Sequence, residues 1–316
     1  MKLQTKIPLK PVENDAIDYH SKILLIGSCF SEHMGNKFAQ LKFNCLSNPF
    51  GILFHPKAIE NLLQRSLRKS YYSAEDFIHN NELYHCFDAH SNLSQPSSKN
   101  LEEHLNTQLD TTAAFCADAS HVVLTFGTAW VYHHVERNLL VANCHKLPQG
   151  HFKKMLLSVD AIQNSILNSC RILRELNPEV HVILTVSPVR HLKDGFVENS
   201  RSKAHLLAAL HQVAETEAQI SYFPSYELLM DELRDYRFYK SDMLHPNTLA
   251  IAYIWDKFKQ VWWAKDTVKI SEEIQLLLKG LAHKPMHKTS KAHQTFIVDL
   301  QNKIERFKLK YPHISF

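Results

Sequence analysis

Short, unbroken apolar runs alternate with longer stretches of helical period over most of the chain. Three runs, Lys22–Gly27, His121–Gly127 and His181–Ser187, are rich in Val, Ile and Leu and end at Gly or Ser. Runs this short, apolar at successive positions, predict strands buried on both faces of a parallel sheet. Weaker runs at Phe43–Asn48 and Ile220–Ser225 would complete five strands. Helical spacing predicts helices over Ser31–Leu41, Pro56–Lys69, Ser158–Leu176, Asn199–Ala218 and Pro246–Trp262. The clearest is Ser158–Leu176, where Val159, Ile162, Ile166, Cys170 and Leu173 recur on one face behind a Ser cap. Alternating strands and helices predict an α/β fold with right-handed crossovers, and a site beyond the carboxyl ends of the strands.

Two regions break the rhythm. Residues 71–100 are polar, carry His79, His85 and His90, and end in a Ser/Pro/Asn stretch; they are expected to form a lid-like excursion over the site. After Trp263 the pattern is helical only, at Ile270–Leu281 and Ala292–Lys310, with a break at Lys284-Pro285. The expected division is therefore 1–263 as the α/β domain and 264–316 as a basic helical extension.

Composition narrows the functional classes. With 316 residues, 45% apolar and 22% charged, the chain can bury a large core. The opening Met1–Lys6 is polar and no apolar run is long enough to span a bilayer, so a cytoplasmic protein with no membrane span is expected. Six scattered cysteines with no CxxC fit reduced thiols. The net charge of +4 is uneven: residues 281–316 hold seven Lys/Arg against two Asp/Glu. That excess reads as a solvated helix face and no nucleic-acid partner is expected, because aromatic interleaving is weak. No HExxH, Walker loop or GxGxxG occurs, so neither a metal nor a cofactor is called for. His85, His90, His133, His134 and His145 are given structural or substrate-contact roles.

Four segments carry candidate chemistry. Gly27-Ser28-Cys29-Phe30-Ser31 joins the first strand to a helix, whose N-terminal amides would favour a thiolate or an oxyanion. Asp242-Met243-Leu244-His245 places a carboxylate three residues before an imidazole, so that Asp242 can accept the Nδ1 proton and leave Nε2 as a base. Gly127-Thr128, with Asn143 downstream, offers oxyanion donors. Ser187-Pro188-Val189-Arg190-His191 leaves the fourth strand with a charged pair that would hold a substrate carboxylate or phosphate, a structural salt bridge being the equal alternative for Arg190.

In this order, these segments resemble the GSCFA family, named for the Gly-Ser-Cys-Phe start found here at 27–30. Asn48-Pro49-Phe50-Gly51, Phe87-Asp88-Ala89-His90-Ser91, Gly127-Thr128-Ala129-Trp130, Asn143-Cys144-His145-Lys146, Ser187–His191 and Tyr236–Pro246 match as well, over roughly Lys22 to Trp262; Ser31 replaces the Ala that ends the family name. The family is similar to a branch of the SGNH/GDSL hydrolases. The resemblance implies a three-layer α/β/α flavodoxin-like fold with a mainly parallel five-stranded sheet, and acyl chemistry with a Cys/Ser–His–Asp site. The superfamily's nucleophile slot, two residues after Gly27, falls on Cys29, with Ser28 the second candidate; Gly51 matches the second block, and Asp242 and His245 the last. The third block, usually Gly-x-Asn, reads Gly127-Thr128-Ala129, so Asn143 or Asn48 would replace its Asn. The implied activity is an esterase or acyltransferase acting on a small-molecule or carbohydrate ester or thioester. The alternative is a binding protein on the same fold with weak or no catalysis. Oligomeric state is left open.

Overall fold

The computed structural model describes residues 5–287 and 289–316. Residues 1–4, on which the expectation of a leaderless start partly rests, lie outside them. In chain order the first half comprises β1 (Lys22–Gly27), α1 (Cys29–Gln40), β2 (Asn44–Ser47), α2 (Pro56–Arg68), β3 (Phe77–Asn80), β4 (Leu83–Cys86), α3 (Ser98–Asp118) and β5 (His121–Phe126). There follow β6 (Trp130–His134), β7 (Leu139–Val141), β8 (Phe152–Leu156), α4 (Val159–Leu176), β9 (His181–Val186), α5 (Phe196–Thr216) and β10 (Ile220–Tyr222). The chain ends through α6 (Ser225–Glu227), a π-helical turn at Leu228–Leu233, α7 (Thr248–Trp262), α8 (Lys265–Ala282) and α9 (Lys291–Lys310).

The five strands expected from the apolar runs form one sheet, β2-β1-β5-β9-β10, with every neighbouring pair parallel. Counting only these strands, the order is 2-1-3-4-5, the flavodoxin-like arrangement, whose switch point lies between β1 and β5. Alternate residues of each strand face opposite helical layers. Leu24, Ile26, Val122, Leu124, Val182 and Leu184 pack with α2 to α5 in one core. Ile23, Leu25, Val123 and Ile183 pack with α1, α7 and the π-helical turn in the other. Burial on both faces is why these strands read as continuous apolar runs.

Antiparallel pieces sit outside the main sheet. The segment 71–100 contains the β3–β4 hairpin, and β6, β7 and β8 form a second sheet that the apolar pattern does not predict. The two are tied into one body: Ala142 N donates to Phe87 O, Asn80 Nδ2 to His145 O, and the Arg137 guanidinium to the carbonyls of Glu75 and Phe77. Helix α3 is a further addition to the expected elements. Its buried face of Leu101, Leu105, Leu109, Thr112 and Cys116 repeats every three or four residues, and the polar Thr and Cys weaken that signal.

α8 and α9 pack through Leu277, Leu300 and Ile304, and the chain end returns to the main body with Tyr311 on Tyr19 (ring centroids 5.7 Å). Most of α9 is exposed. Among the described residues no helix is long and apolar enough to cross a membrane.

Candidate active site

β1 ends in a constrained corner. Gly27 has φ +146°, and a Cβ there would lie 2.1 Å from Thr125 O, so only glycine allows β1 to pass β5 this closely. Its N–H donates to Asn48 Oδ1 (2.8 Å), which draws the end of β2 across the end of β1. Ser28 then caps α1: its fully buried hydroxyl accepts from Phe30 N at 3.2 Å. Cys29, the first residue of α1, is half-buried, with its thiol at the helix N-terminus. An N–H at this position has no intrahelical acceptor. Burial pushes the Cys29 thiol up, and Glu32 adds to this; Lys240, Lys203 and the residue's own amide pull the other way.

The second half comes from the loop before α7. Asp242 Oδ1 accepts from the N–H groups of Leu244 and His245 at 2.9 and 3.0 Å, while its Oδ2 accepts from His245 Nδ1 at 2.7 Å. The backbone donors and the imidazole hold the Asp242 carboxyl down at about 2. A carboxylate on Nδ1 fixes the tautomer and turns Nε2 outward as an acceptor. Lys240 N donates to His245 O (2.7 Å), closing the loop.

Packing brings these halves to one rim at the end of the sheet: α7, which follows the His245 loop, shares a core with α1, and Arg190 N beyond β9 donates to Leu244 O. Lys240, from the His245 loop, acts on Cys29; His33, one turn along α1 from Cys29, is lowered by burial, then by Lys240 and His245. Among the described residues no hydrogen bond joins the thiol directly to the imidazole. His191 lies on the same rim. Burial, followed by Lys203 and His245, pushes it down to about 4, and its Nε2 has no partner among the described residues. Lys203, Asn199 and Ser202 were not among the candidates drawn from the sequence. All three are buried polar residues on the α5 stripe that continues through Leu206, Leu210 and Val213, and polar residues interrupting an apolar stripe were the available signal.

Other expected contributors are engaged elsewhere. Gly51 N–H donates to Asn48 O (2.8 Å), and Gly127 and Thr128 N–H both donate to Phe54 O (2.8 and 3.1 Å). Thr128 Oγ1 accepts from Trp130 N and pairs with Ser202 Oγ. These groups shape the strand-end loops and leave no spare amide for an oxyanion. Asn143 Oδ1 accepts from His145 N, and the buried His145 meets Cys86 O at 2.7 Å through Nε2, so both belong to the junction between the antiparallel pieces. His90 N donates to Phe50 O, and its Cβ would be 2.4 Å from a Cβ at Gly51, which explains the glycine there (φ +70°). Asn48 differs: it is buried, its Oδ1 is used, and its Nδ2 has no partner among the described residues. Arg190 forms no ion pair among the described residues; its Nη2 approaches Met230 Sδ at 3.1 Å and its N–H donates to Leu244 O. The same residues show no cluster of three or more His, Cys, Asp or Glu placed to hold a metal. A groove of about 540 Å³ between α8 and α9 is lined by Leu276, Gly280, Phe296 and Phe307, and none of the rim residues lines it.

Residues 22–258 match the model of the GSCFA family, and residues 274–316 match that of the GSCFA domain protein, C-terminal domain. No curated protein sequence matches the chain. Among solved structures, a carbohydrate esterase family 3 from Talaromyces cellulolyticus is 12% identical, with 81% of this chain and 98% of that one covered and a TM-score of 0.37. A Clostridium thermocellum family 3 carbohydrate esterase is 10% identical over 80% and 98%, with a TM-score of 0.36. A mutant acetyl esterase with acetate ion is 11% identical over 81% and 99%, with a TM-score of 0.35.

Proposed function

We propose, for a chain that belongs to the GSCFA family, an acyl-transfer activity: esterase or acyltransferase chemistry on an ester or thioester, with Cys29 attacking and His245 as base. The observation that carries this reading is the Asp242–His245 pair, held at 2.7 Å through Nδ1 so that Nε2 is free, in the loop before α7, which packs against the helix that Cys29 begins. His245 Nε2 takes the Sγ proton as Sγ bonds to the substrate carbonyl carbon. The leaving alkoxide or thiolate departs with that proton. Water or an acceptor hydroxyl, deprotonated by His245, then attacks the acyl-thioester, breaks the Sγ–C bond and returns the proton to the thiol. The oxyanion is met by Cys29 N–H and the unpartnered Asn48 Nδ2, which replaces the donors expected from Gly51, Gly127 and Asn143. Catalytic contacts are often long without substrate and tighten in the complex, so the missing thiol–imidazole hydrogen bond is compatible with this reading. Ser28 is a support: its hydroxyl is fully buried and serves as the helix cap.

The reading is tested with acyl esters and acyl-thioesters of small alcohols and sugars, together with a thiol-directed probe. Wild type should turn over and label, Cys29→Ala should do neither, and His245→Ala should lower turnover by ~100-fold or more. A folded wild type that shows neither labelling nor His245-dependent turnover rejects it. A second reading, a binding protein with weak catalysis, is favoured by the raised Cys29 thiol. Saturable ester binding with no covalent Cys29 adduct supports that alternative.

A further inference from the structure

The first turns of α5 carry three buried polar residues that cross-link the loops leaving β5 and β9. Asn199 Oδ1 accepts from His191 N at 3.0 Å, and Ser202 Oγ accepts from Ala129 N at 2.8 Å. Lys203 Nζ donates to Gly127 O at 2.8 Å and to Ser187 O at 2.7 Å. Binding two carbonyls does not require a cation, since an amide or hydroxyl would satisfy them without the cost of burying charge. Lys203 is nonetheless 1% exposed, and among the described residues no carboxylate pairs with it. Besides the two carbonyls it faces the Tyr226 ring at 5.6 Å, and a Cβ at Gly127 would lie 3.2 Å from His191 Nε2. Gly127 follows β5, whose Thr125 O accepts from Ser28 N at 3.1 Å, so the amine is held at the strand ends where α1 begins with Cys29. The coupling with Cys29 runs both ways: Lys203 favours the Cys29 thiolate, and that thiolate favours the Lys203 ammonium. Burial draws the Lys203 amine down to about 7, so it loses its charge readily when no anion is near.

We infer that Lys203 is a positioning residue whose amine, fixed by Gly127 O and Ser187 O, serves as ammonium counter-charge for the anion that develops at Cys29. This rests on the reading of Cys29 as the attacking group. A buried ammonium without a resident partner is stabilised when negative charge appears beside it, so ammonium and thiolate favour each other and part of the cost of forming the thiolate is offset. Glu32 opposes the thiolate, and Lys240, which is exposed, is screened; the imidazoles of His245, His33 and His191 are the other titratable groups on this rim.

The test is the pH profile of Cys29 alkylation by iodoacetamide, read by peptide mass spectrometry between pH 6 and 10. Lys203→Met should move the midpoint up by about one pH unit and slow labelling at pH 7.5 by about tenfold. Lys203→Arg should recover much of the wild-type rate. If Lys203→Met does not fold, Lys203→Gln keeps donors for both carbonyls without the charge and should show the same shift. A folded neutral variant with the wild-type profile overturns the inference. Alkylation needs no turnover, so this result stands apart from the acyl-transfer reading: a Lys203-dependent thiol with no ester turnover would reject the activity and keep the charge pairing.

Discussion

Acid should loosen this protein through two buried imidazoles at the junction of the antiparallel pieces with the main domain. His55 caps α2, accepting from Ala58 N through Nδ1, and meets Val141 O at 3.1 Å through Nε2. His145 meets Cys86 O at 2.7 Å. Each is 4% exposed, and burial pushes each from an ordinary 6.5 down to about 4, against the pull of the carbonyl. The folded state thus holds both rings neutral while the unfolded chain binds protons from pH 6.5 downward. Their contribution is fully present above that pH and is lost as pH falls towards 4. Over the whole window each ring is worth about 3 kcal/mol, and at pH 5 about 2 kcal/mol per ring is already gone. Losing about 4 kcal/mol from a typical 5–15 kcal/mol would be plain in a denaturation curve. Urea unfolding at pH 7.5 and 5.0 measures it, with His55→Gln as the probe because Gln cannot titrate but can donate to Val141 O. The variant should lose about 2 kcal/mol less than wild type between the two pH values. Equal losses, or a wild type more stable at pH 5.0, would refute the reasoning.

Two further outcomes follow from the β1 corner. Gly27→Ala places a Cβ 2.1 Å from Thr125 O at φ +146°, and should cost more than about 3 kcal/mol by urea denaturation or prevent accumulation of folded protein. Ser28→Ala removes the cap on Phe30 N and should cost about 1 kcal/mol in the same assay, while Cys29 still labels with a thiol probe.

Local patterning reached far into this fold. The strands at Lys22, His121 and His181 were legible because burial on both faces keeps each run apolar at three or four successive positions, with only Thr125 and Thr185 polar inside them. α4 was legible because Ser158 caps it, its side chain accepting from Ala161 N, and its apolar face is continuous. β6 to β8 escaped because Trp130-Val131-Tyr132-His133-His134 is held by pairing with residues in β7 and β8, with no apolar run to announce it. The site divides in the same way. Asp242 and His245 are three residues apart, so one loop fixes their contact and the sequence alone discloses it.

The amino-acid sequence by itself therefore determined the α/β class, the sheet's strands, the family and the His–Asp pair, because each depends on neighbours in the chain. Only the tertiary structure decided which backbone amides are engaged, that Ser28 is a buried cap, and that Lys203 is buried on the carbonyls of Gly127 and Ser187 with no acid among the described residues. Those features depend on what long-range packing leaves next to a group after burial. A donor's availability and a charge's cost are set by that surrounding, which residue order does not encode locally.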